Sequence, residues 1–398
     1  MADEDPRSAE ELLRDDDEGE LVKPPRRRSL RPPPERGPED EEPPPWRPPE
    51  PSGPWAKIGP LARPLTERPE PARWLLWQGA ASKSAGLMRA GRVGLLSAPG
   101  GTGKTLALCS LALAACTGKP WLSEPPIDGL REGTVGGYTV DPAAVGGRVA
   151  LLLGEEDAEE VHRRLWQVAQ LMGLNATQLA AVQERLVVGA LSGEDVTLVD
   201  ADGVPKVDGL RRALGPGPWS LVILDPLSRF GGVEAETDNG LATRTVAALE
   251  ALTGLEGRPA VVVAHHERKG GGEGAEAVRG ASALVDGARW VARLSPVKVG
   301  GRRDASGLTV GGRRWRSRAG HRAVWFEVVK SNYAPPLEDG RRLLMLDGAH
   351  GGAPRVARAA ELDELRDAEA EASGNLAPPK RSSKASSKGA PAPIGVEL

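Results

Sequence analysis

The chain has 398 residues, enough for one large domain or two ordinary ones, and its formal net charge of −3 excludes a strong overall attraction to polyanions. No apolar run reaches the roughly 18 residues that a transmembrane helix needs. The N-terminus is acidic and lacks the apolar segment of a signal peptide, so we expect a cytoplasmic protein.

Apolar and polar residues are unevenly distributed along the chain. The apolar runs lie between about residues 74 and 346, whereas both ends are rich in Pro, Ser and charged residues. Pro-rich sequence and blocks of like charge are typical of disordered segments. We therefore predict a disordered acidic, Pro-rich arm at 1–70, one α/β domain at 71–350, and a charged helix followed by a disordered basic tail at 351–398.

In chain order, strands and helices alternate in the central part. Apolar runs predict strands at residues 93–97, 148–153, 186–188, 221–224, 260–264, 324–329 and 343–346. Helix-forming composition or helical spacing predicts helices at residues 105–116, 157–172, 210–214, 241–252 and 356–372. Continuous apolar strands that alternate with helices favour a mostly parallel central sheet with helices on both faces.

Two cysteines, Cys109 and Cys116, lie seven residues apart in one predicted helix. That spacing leaves them too far apart along the helix for a disulfide. We expect both to be small buried core residues with free thiols.

A glycine-rich loop at residues 98–105 lies between a predicted strand and a predicted helix. Its sequence, Ala-Pro-Gly-Gly-Thr-Gly-Lys-Thr, departs from the Walker A pattern only at the first position, where Ala98 replaces glycine. Glycines let backbone N–H groups face phosphate oxygens, and the helix N-terminus adds positive potential. The loop therefore predicts an ATP site. Its expected nucleotide-binding residues are Pro99, Gly100, Gly101, Thr102, Gly103, Lys104, Thr105 and Leu106.

Three side chains are expected to act on the phosphates and on Mg²⁺. Lys104 would contact the β- and γ-phosphates, and the hydroxyl of Thr105 would ligate Mg²⁺. Asp225 ends the apolar run at 221–224, and an acid at the carboxyl end of a parallel strand faces the ligand crevice. We predict Asp225 as the second Mg²⁺ ligand; a simple turn aspartate before Pro226 is the alternative.

Three acids, Glu155, Glu156 and Asp157, follow the predicted strand at 148–153. A carboxylate at this position can act as the general base that orients the attacking water. We assign that role to Glu155. Glu156 and Asp157 remain alternatives, and Asp157 could instead cap the following helix.

Two histidines, His265 and His266, follow the predicted strand at 260–264. A histidine at a strand end can sense a γ-phosphate by hydrogen bonding. A metal site is less favoured, because no further Cys or His lies at ligand spacing. A solvent-facing histidine is the simpler alternative.

Six blocks of sequence occur in a fixed order between about residues 74 and 346. The blocks lie at residues 115–122, 154–165, 224–230, 265–269, 279–290 and 328–333, and they include Gly-Glu-Glu-Asp, Leu-Asp-Pro-Leu-Ser-Arg-Phe, His-His-Glu-Arg-Lys, Gly-Ala-Arg-Trp and Lys-Ser-Asn-Tyr. Together with the Walker A loop they resemble the RepA-type ATPases of plasmids and phages. These are RecA-like P-loop ATPases of the AAA family, typified by a hexameric replicative DNA helicase.

The resemblance implies a RecA-like fold, ATP and Mg²⁺ as cofactors, and roles for individual residues. Glu155 matches the catalytic glutamate and His266 the γ-phosphate sensor. Arg289 matches an arginine finger that reaches the ATP of a neighbour, with Arg279 as the alternative, and Tyr333 matches a residue near the nucleotide. A finger supplied by a neighbour requires self-association, commonly as a hexamer.

The same resemblance implies single-stranded DNA as a partner. In RecA-like rings, loops such as 231–240 and 267–280 line a central pore, and glycines with the cations Lys269 and Arg279 suit contact with a phosphate backbone. The basic stretch at 302–318, which contains Trp315, is either a nucleic-acid contact or a solvated hairpin.

Three functions are compatible with these residues. We expect a replicative-helicase-like motor of a mobile element that relies on separate replication partners, because the sequence shows no primase zinc motif and no helix-turn-helix. An ATPase switch that assembles on DNA without unwinding it is the alternative. A scaffold with a vestigial nucleotide site is disfavoured by the complete set of Lys104, Thr105, Glu155 and Asp225.

Overall fold

The structure is a computed structural model that describes residues 58–373 with gaps, together with Gly53 and Ala56. The gaps are residues 62, 80–84, 124–136, 201, 268–281, 304–308, 311 and 336–339. The chain divides into two units, Met1–Pro69 and Glu70–Leu398. Most of the predicted arm, and the predicted tail beyond residue 373, lie outside the described residues.

A nine-stranded sheet runs through the second unit. From one edge to the other its strands are β16 (Ala353–Val356), β15 (Arg341–Asp347), β14 (Arg322–Ser331), β9 (Trp290–Pro296), β3 (Val93–Ala98), β8 (Ala260–His266), β7 (Trp219–Asp225), β5 (Arg148–Leu153) and β6 (Leu186–Ala190). The six strands from β9 to β6 are parallel, and β14, β15 and β16 are added antiparallel. The predicted α/β class with a mostly parallel sheet is therefore confirmed.

Short strands and helices complete the described part of the chain. The short strands are β1 (Trp74–Trp77), β2 (Gly86–Arg89), β4 (Thr139–Val140), β10 (Lys298–Val299), β11 (Arg302–Arg303), β12 (Thr309–Val310) and β13 (Arg313–Arg314). The α-helices are α1 (Lys104–Thr117), α2 (Ala158–Leu171), α3 (Ala176–Arg185), α4 (Val207–Leu214), α5 (Leu227–Phe230), α6 (Asn239–Leu252), α7 (Ser282–Gly287) and α8 (Ala359–Ala372). Val233–Glu236 and Gly348–His350 are 3₁₀ turns.

The sheet separates two hydrophobic cores. Leu96 and Ala98 of β3 pack in the core that contains α1, whereas Val93 and Leu95 pack in the core that contains α6. Successive side chains of a strand point to opposite faces, so the continuous apolar strands supply both cores at once. Helices accordingly cover both faces, as the sequence predicted.

Helix α1 is bounded by two glycines in the left-handed conformation. Gly103 precedes it with φ 82°, and Gly118 follows it with φ 76° and donates its N–H to the carbonyl oxygen of Ala114 at 2.8 Å. Cys109 and Cys116 lie buried in this helix with free thiols, and burial raises the pKa of each thiol to about 12. The prediction of buried core cysteines is confirmed.

Some elements differ from the sequence prediction. Helix α3 was not predicted, because it buries no residue completely and its apolar periodicity is weak. Strand β9 was missed because buried Arg293 and Ser295 interrupt its apolar pattern. The predicted helix at 356–372 begins at Ala359, since residues 353–356 form strand β16. Among the helices of the described ranges, none is long and apolar enough to cross a membrane.

Candidate nucleotide-binding site

The glycine-rich loop joins the carboxyl end of β3 to the first turn of α1. Gly101 and Gly103 adopt positive φ angles of 74° and 82°, a backbone conformation that favours glycine. The hydroxyl of Thr102 donates to the carbonyl oxygen of Pro99 at 2.7 Å and holds the loop closed. The backbone N–H groups at the start of α1 are thereby presented together at the strand ends.

Lys104, the first residue of α1, has a buried side chain. Its Nζ atom has no hydrogen-bond partner among the described residues. Burial lowers the pKa of the ammonium group, and the negative charges of Asp225 and Glu155, with smaller effects from Glu236 and Glu267, oppose that shift. A buried ammonium without a hydrogen-bond acceptor is suited to an anionic ligand such as a phosphate.

Asp225 lies at the end of β7 on the same face of the sheet as α1. Ile223 and Leu221, two and four residues earlier on β7, pack in the α1 core. The Asp225 side chain is buried, and its Oδ2 atom makes no hydrogen bond within the described part of the chain. An acceptor of this kind fits a bound cation.

The residues present fit a Mg²⁺ ion that is shared with a nucleotide. No group of three or more His, Cys, Asp or Glu side chains in the described ranges could hold a metal by itself. Mg²⁺ is commonly bound by only one or two protein oxygens together with substrate phosphates. The hydroxyl of Thr105 and the free carboxylate oxygen of Asp225 are donors of that kind.

The three acids after β5 have different surroundings. Asp157 caps α2, since its carboxylate accepts a hydrogen bond from the backbone N–H of Glu160 at 2.8 Å. Glu156 pairs with Arg164, whose Nη2 lies 2.9 Å from Oε1 of Glu156. Glu155 is exposed and takes part in neither contact. Of the three, Glu155 is therefore the acid whose carboxylate is available to a water molecule.

Gly154 connects these acids to β7, and sequence reasoning did not single it out. Its N–H donates to the carbonyl oxygen of Asp225 at 2.8 Å, and its carbonyl oxygen accepts from Nε of Arg229 at 3.2 Å. A Cβ atom added at Gly154 would lie 2.8 Å from Cβ of Arg229. The only available signal was a glycine directly after a strand.

The two histidines at the end of β8 lie on opposite faces of the sheet. The pairing of β8 with β3 aligns His266 with Ala98 and His265 with Ser97, so His266 shares the α1 face with Asp225. Burial, and then the charge of Lys104, lower the pKa of His266. A neutral imidazole near the phosphate loop is suited to hydrogen bonding, and His265, which is only 4% exposed, faces the other core.

A buried ion pair, also unforeseen from the sequence, lies below the phosphate loop. The carboxylate of Glu267 accepts hydrogen bonds from Nε and Nη2 of Arg293 at 2.7 and 3.0 Å. It also accepts from the hydroxyl of Ser97 at 3.1 Å. These contacts join β3, β9 and the residue after β8, and so fix the strand ends that carry the loop.

Arg289 and Tyr333 lie at the other end of β3. The N–H of Arg289 donates to the carbonyl oxygen of Val93, the first residue of β3, at 2.9 Å. Nε of Arg92 donates to the Tyr333 hydroxyl at 3.2 Å, and Arg89 lies over the Tyr333 ring, 4.6 Å from its centroid. Five residue steps along a strand span roughly 17 Å, more than an arginine side chain extends. The structure therefore does not bring Arg289 and Tyr333 together with Lys104 of the same chain.

The expected nucleic-acid contacts are only partly described. Trp315 is 6% exposed and packs with Val297 and Val299 in a small core, so its ring is not free to stack on bases. Arg313 and Arg314 are exposed on β13. The loop at 231–240 contains a 3₁₀ turn and the start of α6, whereas Lys269 and Arg279 lie outside the described residues.

A comparison with known protein families agrees with this geometry. The family model described as an AAA domain matches residues 60–272, which is more than half of the chain. The matched range contains the phosphate loop, Glu155, Asp225 and both histidines, whereas Arg289 and Tyr333 lie beyond it. The match and the strand–loop–helix site together show that the chain belongs to the AAA-domain family of P-loop ATPases.

Proposed function

We propose that the protein hydrolyses ATP as a ring of several copies and acts on single-stranded DNA, as a RepA-type replicative-helicase-like motor. The observation that carries the proposal is the pair of buried groups Lys104 Nζ and Asp225 Oδ2, which lack hydrogen-bond partners within the described part of the site. One group suits phosphate oxygens and the other suits a cation, so a magnesium nucleotide satisfies both.

Each residue then has a distinct task in hydrolysis. Lys104 offsets the charge of the β- and γ-phosphates, and the backbone N–H groups of the loop hold their oxygens. Glu155 orients a water molecule and accepts its proton as the water oxygen bonds to the γ-phosphorus and ADP leaves. The neutral imidazole of His266 hydrogen bonds to the γ-phosphate. Thr105 and Asp225 would hold Mg²⁺, which would supply further charge neutralisation at the phosphates.

A second copy completes this site. Arg89, Arg92 and Arg289 line one shallow pocket with Tyr333, and none of the three arginines forms an ion pair within the described ranges. Their positive charge suits an anion, and they lie at the opposite end of β3 from Lys104 of their own chain. We infer that this end of one copy docks on the phosphate-loop edge of the next, with ATP between them. A head-to-tail contact of this type forms a ring when the rotation between copies closes, and the family resemblance favours a hexameric ring.

Single-stranded DNA is the proposed polymer partner. Besides the resemblance, the exposed side chains of Arg313 and Arg314 on β13 support a sequence-independent phosphate contact. An ATPase that assembles on DNA without unwinding it uses the same residues and remains the second candidate.

The first test measures ATP turnover with and without single-stranded DNA for the wild type, Lys104→Ala, Arg289→Ala and the exposed control Arg211→Ala. We expect DNA-stimulated turnover that is lost in the first two variants and retained in the control. ATP turnover that changes neither on addition of DNA nor in the Arg289→Ala variant would contradict the ring motor. Unwinding of a forked duplex then distinguishes a helicase from an assembly switch.

A further inference from the structure

The phosphate site fixes the direction in which a bound nucleotide extends. Lys104, Asp225 and Glu155 lie at the ends of α1, β7 and β5, so the γ-phosphate belongs on the β8–β7–β5 side of the loop. On the opposite side of β3, the sheet continues through β9, β14, β15 and β16. A nucleotide bound across the loop must carry its nucleoside toward that antiparallel part of the sheet. This inference rests on the ATP site proposed above.

Two segments of the antiparallel part abut the phosphate loop. Nη1 of Arg322, the first residue of β14, donates to the carbonyl oxygen of Gly101 at 3.0 Å. A Cβ atom added at Gly103 would lie 2.9 Å from Cδ2 of Leu346 and 3.6 Å from the carbonyl oxygen of Gly352. The turn at 348–352, between β15 and β16, therefore lies directly beside the start of α1.

This turn is held rigid by hydrogen bonds. The Asp347 carboxylate accepts from the N–H of Ala349 at 3.0 Å and contacts Nδ1 of His350 at 3.1 Å. The carbonyl oxygen of Asp347 accepts from the N–H of Gly352 at 2.7 Å, and Gly348 donates to Nδ1 of His321 at 3.2 Å. The contact with Asp347 orients the His350 imidazole through Nδ1, and the side chain stays partly exposed.

Two flat, partly exposed groups thus stand beside the phosphate loop. The Arg322 side chain is exposed and anchored through one nitrogen to Gly101, and the side chain of His350 is 32% exposed. A planar, weakly hydrated guanidinium stacks on aromatic faces, and an imidazole ring does the same. Both groups suit the base of a nucleotide better than its phosphates, for which the loop already supplies donors.

We propose that Arg322, His350 and the turn at 348–352 form the nucleoside subsite of the ATP site, in which the base stacks on the guanidinium and imidazole planes. The subsite belongs to the same chain as the phosphate loop. It therefore acts in a single copy, before any neighbour docks.

The test compares ADP with inorganic pyrophosphate, because the two ligands share the diphosphate and differ in the adenosine. Calorimetric titration of the full chain with each ligand in the presence of Mg²⁺ separates the two contributions. We expect Arg322→Ala and His350→Ala to weaken ADP binding about tenfold, the size of one lost base-stacking contact, and to leave pyrophosphate binding unchanged. Arg366→Ala and His162→Ala, at exposed positions, are the matched controls.

Conservative variants separate stacking from charge and from folding. His350→Phe retains a flat ring and loses only the contact that orients it, so we expect it to lose less ADP affinity than His350→Ala. Arg322→Lys retains the charge without the planar group, and we expect it to behave like Arg322→Ala. Equal losses of ADP and pyrophosphate, or no loss of either, would overturn the nucleoside subsite. The ATP site itself would be overturned if the wild-type protein bound neither ligand. It would also be overturned if the Lys104→Ala substitution left pyrophosphate binding unchanged.

Discussion

The backbone N–H of Gly154 donates to the carbonyl oxygen of Asp225 over 2.8 Å. This bond joins the residue before the proposed general base, Glu155, to the proposed Mg²⁺ ligand at the ends of neighbouring strands β5 and β7. Arg229 closes over the same glycine, with its Cβ only 2.8 Å from the position that a Cβ of residue 154 would take. The position of Glu155 relative to Asp225 thus depends on a residue without a side chain.

Gly154→Ala should displace Glu155, because the added methyl group and Arg229 cannot occupy the same space. We expect kcat to fall by about tenfold or more, with a smaller change in KM, since a displacement on the order of 1 Å can cost about 100-fold in rate. The free energy of unfolding should fall by about 1–3 kcal/mol. Steady-state ATP turnover and urea unfolding measure the two effects.

Gly209→Ala in α4 is the matched control for this variant. Nothing lies within 4 Å of a Cβ added there, so activity should be unchanged and stability equal or higher by about 0.5–1 kcal/mol. If both alanine variants behaved alike, the close contact at Gly154 would have no role in positioning Glu155.

Mixed assemblies test whether the two ends of β3 complete one site between copies. Lys104→Ala removes the phosphate-binding lysine at one end of β3, and Arg289→Ala removes the arginine at the other end. Neither variant alone should therefore turn over ATP. In an equimolar mixture, about a quarter of head-to-tail interfaces combine a native Lys104 with a native Arg289, and turnover should recover to roughly that fraction of the wild type. The measurement is ATP turnover after co-refolding or subunit exchange.

The control mixture combines Lys104→Ala with Lys104→Met. No interface in this mixture contains a native Lys104. It should remain inactive. A mixture of the Lys104 and Arg289 variants that stays as inactive as this control would exclude Arg289 from a site shared between copies.

The stability of the protein should depend on pH through His265. Burial, followed by the charges of Lys104 and His266, lowers the pKa of His265 from 6.5 to about 4. Above pH 6.5 the imidazole is neutral in both states and contributes nothing. As the pH falls from 6.5 to about 4, the unfolded chain binds the proton more readily than the folded protein, so the free energy of unfolding decreases by about 3 kcal/mol.

His265→Gln should abolish this part of the acid destabilisation. Urea unfolding at neutral pH and at about pH 4 measures the loss in the wild type, in His265→Gln and in His162→Gln, whose histidine is exposed on α2. We expect a smaller loss only in His265→Gln. An equal loss in all three proteins would show that His265 titrates normally.

Substitution of Arg313 and Arg314 tests whether β13 contacts single-stranded DNA. Replacing both with alanine should weaken binding of single-stranded DNA, because two phosphate contacts are lost. The slope of log affinity against log salt concentration should decrease in magnitude by about 1.4. Fluorescence anisotropy over a salt series measures it, with Arg211→Ala/Arg212→Ala on α4 as the charge-matched control. An unchanged slope in the β13 variant would place the DNA contact elsewhere.

Local sequence patterns were sufficient to predict the positions of the central strands and helices. The apolar runs predicted β5 with its exact bounds, and helix-forming composition predicted α1 to within one residue at each end. These predictions hold because backbone conformation and side-chain burial in such segments depend mainly on neighbouring residues. Strand β9 was harder to predict, because its buried Arg293 is stabilised by Glu267, a residue distant in the sequence.

The sequence by itself determined the strand–loop–helix order and the chemistry of the site, since a phosphate loop and an acid after an apolar strand are local features. Only the tertiary structure decided which groups share that site. It left Glu155 available among three adjacent acids, buried Trp315, and placed Arg289 at the opposite end of β3 from Lys104. It also brought Arg322 to Gly101 across 221 residues of sequence. The physical reason is that strand order and register, which no local pattern specifies, determine which strand ends lie side by side.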